Sequence, residues 1–334
     1  MKKHLIGATL LAAVLLVTST AARAEVNEIS VAREFGISYL PLIVMQEQNL
    51  IQKQAATRGI KNLKVKWVQF AGGNVMNTAL LSDSLQFASG GVAPMVIAWA
   101  RTHDNYKIKG VAALNSMPLY LNTSDPNAKS IKDFTSKDKI GLPAVKVSIQ
   151  AVTLQMAAEQ IFGPNQEHKL DPLTVSMSHP AAMAALASGA ITAHFGAPPF
   201  QYQELAMPGV HTILNSYTVL GGPASFNLVW TTSKFYKENP KIYAAFYAAL
   251  EQAISEINHD KKWAAEQYLK STHDTKDKVG FILNMLQNPQ MDYTTTPQHV
   301  MKYVRFMHKV GTIKAVPQSW KDLFFPNLDN LPGS

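Results

Sequence analysis

Not one of the 334 residues is a cysteine. That absence excludes disulfide staples, iron–sulfur clusters, cysteine-ligated zinc and thiol catalysis, and with them the acylated cysteine of a bacterial lipoprotein. Charge is also scarce: Asp, Glu, Lys and Arg make up 16% of the chain. The basic residues are spread rather than gathered on one element, so no nucleic-acid stripe is expected. Catalytic and metal patterns are missing too. The ten histidines include no His-Glu-x-x-His pair, and His299 and His308 are too far apart for one helical turn. Gly-x-Ser-x-Gly, the phosphate loop and Gly-x-Gly-x-x-Gly do not occur. No catalytic residue, metal or cofactor is therefore expected.

What is present begins with an export signal. Lys2 and Lys3 precede an apolar run from Leu5 to Val17, which is too short for a membrane span, and Ala22-Arg23-Ala24 supplies the small-x-small cleavage pattern. Residues 1–24 therefore read as a signal peptide cleaved before Glu25, delivering a soluble, unanchored chain to the periplasm. Its loss removes Lys2, Lys3 and Arg23, which takes the charge from +8 to +5 (28 basic against 23 acidic). A mild positive surplus of this kind suits an anionic small ligand.

Beyond Glu28, short strand-like and helix-like runs alternate. Glu28–Ala32 and Leu63–Phe70 have period two; Leu40–Leu50 reads as a helix with Pro41 in its first turn; Val75–Leu81 reads as another helix. Leu85–Ala88 reads as a strand followed by a glycine turn, Ser89-Gly90-Gly91. Repeated βα units predict an α/β fold with largely parallel sheets. One segment repeats: ALLSDSLQFASG (Ala79–Gly90) and ALASGAITAHFG (Ala185–Gly196) stand 106 residues apart (185 − 79 and 196 − 90), each followed by proline. The repeat predicts two lobes of similar build, each offering a glycine loop at a strand's carboxyl end, where open α/β sheets bind ligands. Amphipathic runs at Ile242–Ile257, Phe281–Leu286 and Val300–Met307 read as helices packed on the outside of a lobe.

Five blocks in order, GISYLPLIVMQEQNLI (Gly36–Ile51), ALLSDSLQFASGGVAP (Ala79–Pro94), SIKDFTSKDKIGLPAVKVS (Ser130–Ser148), HPAAMAALASGAITAHFGAPP (His179–Pro199) and FNLVWTTSKFYKENPKIYAAF (Phe226–Phe246), resemble the substrate-binding proteins of nitrate/sulfonate/taurine-type ABC importers. Thr192 stands where that family usually has aspartate. The resemblance implies a type II periplasmic binding fold of two lobes joined by hinge crossover strands near 119–123 and 226–232. Lobe one would combine 25–118 with 228–334, and lobe two would be 119–227. It also implies a monomer that captures a sulfonate or carboxylate, possibly aromatic, and hands it to an inner-membrane permease. Nitrate or a pyrimidine precursor of thiamine is the alternative ligand. The fold also hosts pyrimidine synthases, but these use a cysteine-rich iron site that this chain lacks.

An anion cleft needs backbone N–H groups and hydroxyls at helix starts. Four loops qualify: Phe35, Ser38 and Tyr39 after the first strand; Gly72, Gly73 and Asn74, with Asn74 a candidate N-cap; Ser89, Gly90 and Gly91; and Lys146, Val147 and Ser148, with Ser148 the cap of a helix over 149–161. Phe195, Gly196 and Gly222 are expected on the opposite rim, and Phe35, Tyr39 and Phe195 could sandwich an aromatic ligand. No arginine stands in these loops. Arg33 and Arg101 lie just outside them.

Overall fold

The computed structural model describes residues 25–334; the signal expected at 1–24 and its cleavage point lie outside the described residues. Strand β1 (Glu28–Arg33) runs through a 3-10 turn at Ile37–Tyr39 into α1 (Leu40–Glu47) and α2 (Leu50–Thr57). Then come β2 (Lys64–Gln69), α3 (Gly73–Leu81), β3 (Ala88–Gly91), α4 (Val92–Thr102) and β4 (Ile108–Ala113). The middle of the chain holds β5 (Tyr120–Thr123), β6 (Ile140–Leu142), α5 (Ile149–Phe162), β7 (Thr174–Ser176) and α6 (His179–Ala187), followed by β8 (Ala193–Phe195), α7 (Phe200–Leu205), β9 (His211–Asn215) and α8 (Ser216–Leu220). Strand β10 (Asn227–Thr232) precedes α9 (Ser233–Glu238), α10 (Pro240–His259), α11 (Lys261–Thr272), α12 (Val279–Gln287) and α13 (Val300–Lys309).

Two sheets result, and they have the same plan. In the first, β2 pairs with β1 in parallel, β1 bridges to the approach of β3 at Val31–Phe87, and β10 lies antiparallel between β3 and β4. The order is β2-β1-β3-β10-β4. In the second, the order is β7-β6-β8-β5-β9, with β5 antiparallel to both of its neighbours. Each sheet is thus parallel except for one strand. The chain reaches β5 directly after finishing β4 of the first sheet, and β10 after β9 and the short helix α8 of the second. These two antiparallel strands are the crossovers of a two-lobe α/β fold.

The sequence repeat falls on equivalent parts of this plan. Both copies run from a helix end (α3, α6) through a tight turn to the third strand of their sheet (β3, β8). The turn needs a left-handed residue in each copy: Asp83 at φ 57° and Gly189 at φ 75°, again 106 residues apart.

Three expectations are corrected. The helix read across Leu40–Leu50 breaks at Asn49, whose left-handed backbone (φ 53°) separates α1 from α2. Ser89-Gly90-Gly91 is strand β3 itself and not a turn after it; all of it is buried, and Gly90 and Gly91 let neighbouring side chains close over the backbone. Helix α13 does not sit on the outside of one lobe. It packs against α4 of the first and α5 of the second, and Tyr303 Oη lies 3.0 Å from Thr153 Oγ1 on α5. Helix α10, by contrast, covers α1 and α2 as its apolar stripe predicts.

Candidate functional site: a cleft at three helix starts

The carboxyl ends of the parallel strands of both sheets point at one place. After β1 comes Glu34; after β2 come Gly72, Gly73 and Asn74; β3 ends in Gly91; after β6 come Pro143 and Ala144. With Ser148, Ile149 and Gln150 at the start of α5, and Phe226 and Asn227 at the start of β10, they line a small cavity of about 10 Å³, the room of about one water. The lobes touch: a Cβ on Gly91 would stand 2.6 Å from Ile149 Cγ2, and the Ile37 N–H donates to the Pro198 carbonyl at 3.1 Å.

Three helices begin at this cavity: α3 after Gly72, α4 after Gly91 and α5 after Ser148. Each presents the positive end of its dipole, although the Val92 N–H at the start of α4 is already given to the Phe226 carbonyl at 3.2 Å. Ser148 caps α5 as read from the sequence, its Oγ accepting the Ala151 N–H at 3.2 Å. Asn74 is not a cap. The N-cap of α3 is Gly72, with no capping side chain of its own. The Gly73 N–H is instead taken by Glu34, which also accepts the Tyr39 hydroxyl.

Glu34 is the only charged-type side chain among the cavity residues. Burial pushes its carboxyl up to about 8, against the pull of its bonds from Tyr39 and Gly73. At neutral pH it is therefore mostly a neutral acid, able to donate one hydrogen bond. Tyr39, buried beside it, is raised well above the ordinary tyrosine range by the same burial and by the carboxyl.

Of the residues singled out in the sequence, the cavity gathers Gly72, Gly73, Asn74, Gly91 and Ser148. Ser38 and Tyr39 stand one layer behind it: Ser38 Oγ accepts from Asn227 Nδ2 at 2.9 Å. Gly90 lies beneath Glu34, where a Cβ would come within 3.0 Å of its Oε1. Ser89 is buried with its hydroxyl bound to the Ala32 carbonyl at 2.6 Å. Lys146 is exposed at φ 66°, outside the cavity lining. Val147 lines an adjoining depression with Arg101, which shares Asn74 and Pro94 with the cavity. Phe35, Phe195, Gly196 and Gly222 do not line the cavity: Phe195 is buried within β8, and Gly196 donates to the Tyr120 carbonyl at 2.9 Å.

Sequence reading missed Glu34, Gln150 and Asn227. Asn227 is fully buried, and its Oδ1 has no hydrogen-bond partner. Glu34 carried one legible signal, its place at the end of the first strand directly before Phe35-Gly36. Asn227 carried none, because its neighbours come from segments far away in the chain.

Comparisons agree with this architecture. No curated protein sequence matches the chain. The periplasmic aliphatic sulphonate binding protein SsuA from Escherichia coli superposes with a TM-score of 0.66 at 16% identity, over 90% of this chain and 99% of that one. The periplasmic nitrate-binding protein NrtA from Synechocystis PCC 6803 gives 0.68 at 14% identity, over 89% and 84%. The alkanesulfonate-binding SsuA from Xanthomonas axonopodis pv. citri, bound to MOPS, gives 0.66 at 16%, over 86% and 92%. At these identities the likeness establishes the fold, that of periplasmic binding proteins. The family profile described as NMT1-like matches residues 22–269, most of the chain, so the protein belongs to the NMT1-like family.

Proposed function

We propose that this chain is the solute-binding component of an ABC importer. It captures a small organic anion, a sulfonate or carboxylate, between its lobes and delivers it to an inner-membrane permease. The observation that carries the reading is the convergence of three helix starts on one cavity between the two sheets. Such a place attracts negative charge without a cation, through the aligned dipoles of the three helices. A neutral Glu34 adds a donor there. Export to the periplasm, a monomeric state and the absence of catalysis belong to the same reading. So do a lobe of 25–118 with 228–334 and a second lobe of 119–227. Among the described residues no helix is long and apolar enough to cross a membrane, which agrees with a protein free of the bilayer.

A second reading, a neutral pyrimidine of the thiamine-precursor kind, is favoured by the unpaired Asn227 Oδ1, which asks for an N–H donor. One screen separates the two. Ethanesulfonate, benzoate, nitrate and an aminopyrimidine are tested by thermal shift and calorimetry, since a ligand of the native state raises the melting temperature by mass action. Stabilisation by the anions alone supports the first reading and stabilisation by the aminopyrimidine alone supports the second. No shift with any of them rejects both.

A further inference from the structure

Behind the cleft a line of buried polar side chains crosses the second lobe. Glu204 on α7 accepts from His194 Nδ1 on β8. His194 Nε2 lies 2.9 Å from His179 Nδ1, at the start of α6. His179 Nε2 lies 3.3 Å from Nε2 of Gln150, and Gln150 lines the cleft. Glu204 and His194 are fully buried, His179 is 4% exposed and Gln150 2%. Such a chain is costly to bury and has no part in the sheet ladders, which calls for a reason.

The far end fixes its direction. Asn122 Nδ2 donates to the Gln201 carbonyl at 2.9 Å, which can only accept, so its amide is oriented, and the same Nδ2 donates to Glu204 Oε2 at 2.9 Å. A carboxylate only accepts, so His194 must carry its proton on Nδ1. At the other end the Gln150 amide turns its nitrogen, a donor only, to His179 Nε2, so His179 holds its proton on Nδ1 and gives it to His194 Nε2. The Phe200 ring stacked on His179 at 5.8 Å holds that imidazole in place. The His179 ring is neutral in this arrangement, in keeping with the burial that drives it well below the ordinary histidine range.

We propose that Glu204, His194 and His179 are positioning residues that lock the Gln150 amide with its oxygen toward the cleft, making Gln150 a determinant of ligand specificity. The proposal rests on the solute-binding reading above. Across the cavity, unpaired Asn227 Oδ1 is a second acceptor. The two amide oxygens therefore select a ligand with a hydrogen-bond donor at the end away from its charge, and they reject one that offers only acceptors there.

Replacing Glu204 with Gln tests the direction of the line. Asn122 still donates, so the new amide oxygen faces Asn122 and the new NH₂ faces His194. Every bond downstream reverses, and Gln150 turns its NH₂ to the cleft. With ¹⁵N-labelled histidine in the mature chain, two-bond ¹H–¹⁵N correlation at pH 7 should find both rings neutral with Nδ1–H. In Glu204→Gln both should switch to Nε2–H, while the backbone amide spectrum remains that of the folded protein. An Nε2–H or doubly protonated ring in the wild type overturns the proposal, as does a folded variant with unchanged tautomers. If the variant fails to fold, the wild-type tautomers alone decide. For specificity, calorimetry compares 2-aminoethanesulfonate with 2-methoxyethanesulfonate. The wild type should prefer the amine by about tenfold, and the folded variant should lose that preference. Equal wild-type affinities overturn the specificity role. Binding of neither probe counts against a sulfonate ligand, and the tautomers then uphold or overturn the positioning of Gln150 by themselves.

Discussion

Glu34 shows how one buried side chain can tie stability, protonation and binding together. Its carboxyl moves from the ordinary 4.5 up to about 8 on folding. Between those values the native state holds a proton that the unfolded chain has released, so stability falls as pH rises through that window. The size is on the order of a few kcal/mol by the linkage relation. Chemical denaturation at pH 5 and pH 8 should record that loss, and Glu34→Gln, which stays neutral and still accepts from Tyr39 and Gly73, should flatten most of it. The same substitution checks the role of the acid in binding. A wild-type affinity for anions that weakens above about pH 8, as Glu34 ionises beside the ligand, should become level in the variant. An identical pH profile in both proteins would remove Glu34 from the site.

At the scale of elements, the start of α5 has two separable tasks. Ser148 caps the helix through the Ala151 N–H, and Ser148→Ala should cost about 1 kcal/mol in denaturant unfolding. Ser148→Leu also projects bulk into the cavity, so it should abolish ligand-induced thermal shift with a stability loss no larger than a few kcal/mol. The other task is contact between lobes. A methyl on Gly91 would stand 2.6 and 2.7 Å from Ile149 Cγ2 and Cβ, closer than carbon atoms approach. Gly91→Ala should therefore hold the lobes apart and weaken ligand binding by about tenfold or more. Adding Ile149→Gly, which removes both of those carbons, should restore both affinity and the compact radius of gyration seen by small-angle scattering. If the single variant closes normally, the contact does not govern closure.

At the scale of the molecule, closure is a hinge problem. The chain crosses between sheets directly ahead of β5 and of β10, and lobe motion about such connections is how binding folds of this kind trap a ligand. Helix α13 adds a third link because it packs on α4 and α5 together. The Tyr303–Thr153 bond at 3.0 Å joins its middle to the lobe that α5 belongs to. Tyr303→Phe removes that bond and leaves the ring. It should shift the free protein toward the open form, seen as a larger radius of gyration without ligand and an unchanged one at ligand saturation. No change in either state would assign α13 a purely structural place.

Much of this was legible beforehand, for physical reasons. The period-two and period-3.6 patterns gave β1, β2, α3, α10, α12 and α13, because a half-buried strand and an amphipathic helix must show those periods. The 106-residue repeat announced two lobes of one plan, and the left-handed turns at Asp83 and Gly189 are why its spacing survives. Ser148 could be read as a cap because capping is local. Lys146 was singled out for its charge, yet it stands exposed outside the cavity, because the direction of a side chain is set by the fold and not by its neighbours in sequence. Glu34 beside Gly73, Asn227 across from Gln150, and the line from Glu204 to Gln150 unite segments tens of residues apart. Local sequence fixed the strands, helices and caps through short-range sterics and hydrogen bonding. Only tertiary packing decided which polar groups were taken out of water together, and that desolvation gives the cleft its chemistry.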